Sequence, residues 1–168
     1  SDWDISALVR AILLHPDFRS AAARDGLVRT PVEFAAAAMR CSGLPASVAH
    51  PEWWLDAMGQ LVFNPPNVSG WRQNAYWLTT SAMGTRFNMA RNISWRLNDT
   101  PTFLPELGSA SPADAVALVC DQFEIAPSAA TRSRLEGHVA ELRAARHGWA
   151  VRPNLFTLVM LTPEFNLA

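Results

Sequence analysis

Thr30-Pro31-Val32-Glu33-Phe34-Ala35-Ala36-Ala37-Ala38-Met39-Arg40-Cys41-Ser42-Gly43 reads as one helix with its start and its stop written in. Thr30 offers a side-chain oxygen to the free N–H groups of the first turn, and Glu33, three residues on, can reach back to the cap. Pro31 holds the first helical position, where its missing N–H costs nothing and its fixed φ already suits the helix. Gly43 stands just past the end, where a left-handed residue closes the last turn. Proline marks three further starts, at His50-Pro51-Glu52, at Ser111-Pro112 with Asp114, and at Pro153.

Outward from this stretch the helical rhythm continues. A first helix is expected from about Trp3 to Leu14, with Ile5, Leu8, Val9, Ile12 and Leu13 at helical spacing and Ser1 paired with Asp4 as its cap. The helix opened by Pro51 puts Trp54, Leu55, Met58, Leu61 and Val62 on one face. A long one runs from near Thr80 to Leu97 through Met83, Phe87 and Ala90. Pro112 opens a helix carrying Val116, Val119, Cys120 and Phe123. Ser128 caps one reaching about Ala145, with Leu135, Val139 and Leu142 inward. Pro153 starts the last, with Leu155, Phe156, Val159 and Met160. Alternating strand patterns joined by turn dipeptides are absent. The prediction is an all-α, single compact domain over residues 1–168, of about seven helices with one long irregular Pro/Trp-rich loop.

The chain has 168 residues, 49% apolar and 17% charged, which suits one packed core. Fourteen basic residues, all of them arginine, face fifteen acidic ones, so no overall field draws nucleic acid or an anionic membrane. No apolar run approaches the roughly 18 residues needed to span a bilayer. Ser1 to Leu14 reads as an amphipathic helix rather than a signal peptide, so the sequence is expected to begin inside a longer protein. Cys41 and Cys120 each fall in a helical pattern and are expected as buried free thiols.

A short echo links the two ends. Leu14-His15-Pro16-Asp17-Phe18 and Leu161-Thr162-Pro163-Glu164-Phe165 both end an apolar helix on a Pro-acid-Phe turn. Pro and the acid suit a new N-terminus, and Phe can fold back on the preceding helix.

One segment breaks the rhythm. From Val62 to Thr80 no helix or strand is expected, and long irregular connections inside a domain are uncommon and often functional. Asn64, Pro65, Pro66, Asn67 and Gly70 stiffen and turn it, while Trp71, Tyr76 and Trp77 supply flat faces with polar edges. From Ala57 to Asn98 there is no acid, yet Arg72, Arg86, Arg91 and Arg96 lie there. The candidate ligand- or partner-binding residues are therefore Asn64, Pro65, Pro66, Asn67, Gly70, Trp71, Arg72, Tyr76, Trp77 and Arg86. They suit an anionic or sugar-like ligand or an acidic partner surface. The alternative is an ordered plug whose tryptophans cap the core while the arginines pair internally.

Other chemistry finds little support. His138 and Glu141 share a helix face, but no second ligand pair accompanies them, so no metal is expected. His15 and His50 precede prolines at helix boundaries. Phosphate loops, nucleophile elbows and Cys-x-x-Cys pairs are missing, and no cofactor or catalytic residue is assigned.

The string Gly59-Gln60-Leu61-Val62-Phe63-Asn64-Pro65-Pro66-Asn67-Val68-Ser69-Gly70-Trp71, followed by Trp77 and Arg86-Phe87-Asn88, resembles the bacterial family catalogued as domain of unknown function 1800. Thr30-Pro31-Val32-Glu33-Phe34 with Met39-Arg40, and Leu161-Thr162-Pro163-Glu164-Phe165, support the match. After Trp71 the sequence Arg72-Gln73-Asn74-Ala75-Tyr76 departs from the Pro-Gly-Gly-like turn of relatives. The resemblance covers the C-terminal part of a longer protein and implies export, without a reaction or catalytic residues. The resulting expectation is a non-enzymatic binding or assembly module. Its partner would be another protein or an N-terminal part of the same protein. Recognition of a polysaccharide by Trp71, Tyr76 and Trp77 is the alternative, and half of a hydrolase-type site shared with an N-terminal part is a further one.

Overall fold

Thr30 caps its helix as its sequence predicts. In the computed structural model, which describes residues 3–24, 26–100 and 102–167, its hydroxyl accepts from the Glu33 N–H. The Glu33 carboxylate in turn accepts from the Thr30 N–H at 2.7 Å, closing the box. The second free N–H of that turn, on Val32, donates to the Gln60 side chain at 3.0 Å, so the cap also ties in a distant segment. Gly43 ends the helix at φ 68°.

The helices follow in order as α1 (Ile5–Leu14), α2 (Ala21–Arg24), α3 (Pro31–Ser42), α4 (Ala46–Ala49), α5 (Pro51–Ala57), α6 (Thr80–Asn98), α7 (Pro112–Gln122), α8 (Ala129–Ala144), α9 (Val151–Met160) and α10 (Pro163–Asn166). Short 3-10 turns lie at Pro16–Arg19, Asn74–Leu78, Pro105–Gly108 and Gly148–Ala150. The all-α prediction holds: among the described residues seven helices have seven residues or more, and there are no strands. Val28 and Leu167 form an isolated antiparallel bridge that joins the entry of α3 to the C-terminal end.

α6 and α9 pack along each other at the centre, with α7 and α8 against α9 and with α3 and α5 against α6. The core positions of α6 are Ala82, Arg86, Met89, Ala90, Ile93, Ser94 and Leu97, a helical stripe. α9 is buried nearly all round through Val151, Pro153, Leu155, Phe156, Thr157, Val159 and Met160. Phe123 of the α7 end stands 6.0 Å from both Phe156 and Phe165, linking three elements through aromatic contact. Cys41 and Cys120 are free and buried in this core, and burial pushes the Cys120 thiol up to about 11.

Several boundaries differ from expectation. α1 begins at Ile5, with Asp4 capping the Ser6 and Ala7 N–H groups; the expected Ser1 contribution lies outside the described residues. α5 stops at Ala57, so Leu61 and Val62 are not on its face. Gly59 at φ 82° turns the chain, with Gln60 N–H on the Leu55 carbonyl and Gly59 N–H on the Asp56 carbonyl. On α6 the inward position falls to Arg86, and Phe87 is exposed. α9 begins at Val151, which places Pro153 third, still in the turn where an N–H has no intrahelical acceptor.

Two arginines serve the backbone between α6 and α7. Arg143 donates to the carbonyls of Ala110 and Leu107, and Arg152 to those of Thr100, Phe103 and Leu104. The guanidinium fork satisfies several carbonyls of the irregular segment between α6 and α7 at once, which a single ammonium group cannot match.

α1 behaves differently from every other long helix. None of its residues is buried, although Ile5, Leu8, Val9, Ile12, Leu13 and Leu14 are large and apolar.

Candidate functional site

Past Gly59 the chain makes a sequence of local turns rather than an open loop. Asn64 N–H donates to the Leu61 carbonyl, and Phe63 between them takes φ 66° and is exposed. After Pro65 and Pro66, the Asn67 side chain accepts from Ser69 N–H at 2.8 Å while its carbonyl accepts from Gly70 N–H at 3.0 Å. This is an Asx turn wrapped on a backbone turn, and Gly70 supplies the φ of 80° that closes it. A 3-10 turn at Asn74–Leu78 then interrupts what the sequence leaves irregular, and Thr79 caps α6 through the Ala82 N–H. Asn74 is anchored outward: its side-chain oxygen accepts from Val28 N–H at 3.2 Å, fixing the segment to the bridge at the chain's far end.

The structure divides the candidate residues into two groups and leaves Trp71 and Arg86 outside both. Asn64, Pro65, Pro66 and Asn67 are exposed and Gly70 is half-buried, shaping the outer turn. Arg72, Tyr76 and Trp77 come together. The Arg72 guanidinium lies 4.2 Å from the centre of the Tyr76 ring, and Tyr76 meets Trp77 edge-on at 5.7 Å. Trp77 is only 2% exposed, so it roots this cluster in the interior. Trp71 is half-buried and does not pair with another aromatic ring among the described residues. A planar platform of Trp71, Tyr76 and Trp77 is therefore not formed.

Arg86 belongs to neither of those groups. It is fully buried, donating to the Asn166 side-chain oxygen at 2.7 Å and to the Arg29 carbonyl at 2.6 Å, with its guanidinium 4.9 Å from the Phe34 ring centre. Asn166 spends its amide hydrogens on the Met160 and Thr162 carbonyls. Burial lowers the Arg86 pKa to about 10. Its expected place in a ligand-facing set is corrected: its donors tie α6 to both ends of the fold. Arg91 and Arg96 lie on the outer face of α6, where Arg96 donates to Asn92 one turn back. The four arginines do not converge.

Arg72, Tyr76 and Trp77 border a cleft of about 410 Å³, which Pro66 and, around the end of α5, Asp56 and Gly59 also line. Thr79, Ser81 and Ala82 at the start of α6 complete it. The indole N–H groups of Trp77, which lines the cleft, and of Trp71, which does not, are buried without an acceptor among the described residues. Sequence reasoning missed Asp56, Thr79 and Ser81, because they are remote from the Pro-Pro string and become neighbours only when α5 and α6 pack. It also missed Asn166, the partner that draws Arg86 inward. No group of three His, Cys, Asp or Glu side chains suited to a metal comes together among the described residues.

The second unusual surface is α1. Arg10 is its single charge, and Ser6, four residues earlier, shares that edge. At 3.6 residues per turn, apolar side chains occupy roughly three quarters of its circumference. No described helix is long and apolar enough to cross a membrane. The turn that follows α1 shares a backbone bond with the turn that follows α9, Phe18 N–H on the His15 carbonyl at 3.0 Å and Phe165 N–H on the Thr162 carbonyl at 3.2 Å, but their side-chain caps differ. Both caps have extended backbone, but the His15 ring accepts from Asp17 N–H two residues on, whereas the Thr162 hydroxyl accepts from Phe165 N–H three residues on. Phe165 is 0% exposed, whereas Phe18 is 49% exposed. One copy of the unit is surrounded by helices; in the other the phenylalanine is half exposed.

No curated protein and no solved structure matches the chain. A family model described as protein of unknown function DUF1800 matches residues 1–167, essentially its whole length. By that match the chain belongs to the DUF1800 family.

Proposed function

We propose that this domain is a non-enzymatic docking module of an exported bacterial protein, and that α1 with its following turn is the docking element. The observation that carries this reading is the exposure of every residue of a helix that is apolar nearly all round. Such helices belong in protein interiors. Burying Ile5, Leu8, Ile12 and Leu13 would contribute roughly 1.5–3 kcal/mol each. A contiguous exposed apolar surface of this kind marks an interaction surface. The α9–α10 unit supplies the pattern of the docked state: an apolar helix ending on a similar turn, enclosed by neighbouring helices. The partner is another helical protein or another part of the same polypeptide, presenting an apolar groove.

Substitution of Ile12 by Asp tests this. The purified domain keeps its stability to within about 0.5 kcal/mol, because position 12 adds nothing to its core. In cells the variant no longer fractionates at the size of the wild-type assembly. A variant that fractionates like wild type, or that unfolds the purified domain, contradicts the reading.

A further inference from the structure

We infer that the C-terminal half of α6 and its flanks bind a polysaccharide, whose sugar rings lie on Trp53, Trp95 and Trp149. These indoles are 77%, 40% and 65% exposed, although their large apolar faces suit an interior. Trp95 of α6 and Trp149 of the 3-10 turn before α9 meet with ring centres 6.3 Å apart and planes inclined by 37°. The His147 ring stands 6.4 Å from Trp149. Trp53, in α5, lines a cleft of about 550 Å³ with His50, Trp54, Asn92 and Arg96, and two alanines complete it. Asn92 comes three residues before Trp95, which makes the two side chains neighbours on the helix surface. The cleft and the indole pair therefore adjoin, and a chain of sugars is the occupant that reaches both.

The polar groups among the indoles favour this occupant over a protein. Arg96 Nε donates to Asn92 Oδ1 at 2.9 Å, while the terminal nitrogens of that guanidinium and the Asn92 amide nitrogen have no partner among the described residues. A pyranose ring presents a face of C–H groups, which packs on an indole, and a rim of hydroxyls, which accept from Arg96 and Asn92. No Leu, Ile, Val or Met among the described residues lines the cleft, in contrast to the aliphatic surface of α1. None of the lining residues is acidic, so neutral and acidic polymers both fit. α1 contributes nothing here, and the inference stands apart from the docking reading.

Affinity electrophoresis of the purified domain in gels containing hydroxyethylcellulose, xylan, laminarin or polygalacturonate tests this. At least one polymer is expected to retard the wild type. Binding should weaken about tenfold or more in Trp53→Ala and in Trp149→Ala, with unchanged circular dichroism, and stay at the wild-type level in Ile12→Asp. Retardation by polygalacturonate alone identifies an acidic polymer as the ligand, and retardation by the other three alone a neutral one. No retardation in any gel, or retardation that survives both alanine substitutions, overturns the inference. Capture of a cellular protein through Trp53 and Trp149, with every polymer silent, overturns it too and assigns this surface to a protein.

Discussion

The guanidinium of Arg86 and the side-chain amide of Asn166, 80 residues apart, meet at 2.7 Å inside the core. Through this pair the central helix α6 grips the C-terminal end, and through the Arg29 carbonyl it grips the approach to α3. Arg86→Leu leaves the Asn166 oxygen and the Arg29 carbonyl buried without a donor, and is expected to cost about 3 kcal/mol. Arg86→Lys recovers only part of this, since one ammonium does not reproduce the fork. Urea unfolding followed by circular dichroism measures both; equal stability of Arg86→Leu and wild type would show that the pair contributes nothing.

The echoed turns separate local form from packing. Phe165 lies against Phe34 at 5.6 Å and Phe123 at 6.0 Å, so Phe165→Ala is expected to destabilise by about 3–5 kcal/mol. Phe18→Ala, in the same local sequence, changes the purified domain by less than about 0.5 kcal/mol. Thermal unfolding of the two variants side by side checks the contrast, and similar losses in both would contradict it.

Much of this fold is legible in sequence because its signals are local. The Thr30–Glu33 box, the Ser111 and Ser128 caps, and Gly43 each act within four residues, and each forms as read. The misreadings arise where a distant partner decides. Phe87 is the better apolar candidate for the interior, yet Arg86 occupies it because Asn166 and the Arg29 carbonyl receive its charge. Trp77 could be a platform or a plug until α5 and α6 are placed; burial makes it the root of the cleft. Gly59 was legible as a family residue, whereas its role as the stop of α5 depends on a positive φ that spacing does not reveal.

Glu164 gives a pH dependence of defined sign. Burial alone pushes its pKa up, but hydrogen bonds from the Ser128 N–H at 2.8 Å and the Thr131 hydroxyl at 2.9 Å outweigh it, and the pKa sits below the ordinary value. Its contribution to stability is present above the unfolded value of 4.5 and is lost as pH falls through the lower folded value. Glu164→Gln should therefore flatten the fall in the urea midpoint below about pH 4.5. An unchanged acid limb would show that Glu164 contributes nothing to the acid sensitivity.

The docking role of α1 is tested most directly by thiol accessibility. Leu8→Cys and, as an exposed control on α8, Arg134→Cys are labelled with a maleimide in the purified domain and in the protein's native cellular setting. Position 134 is expected to react alike in both, whereas position 8 reacts freely when purified. In the cell it should be slowed by about tenfold or more, as expected if exposing it costs at least about 1.4 kcal/mol. Equal labelling of position 8 in the two settings would contradict it.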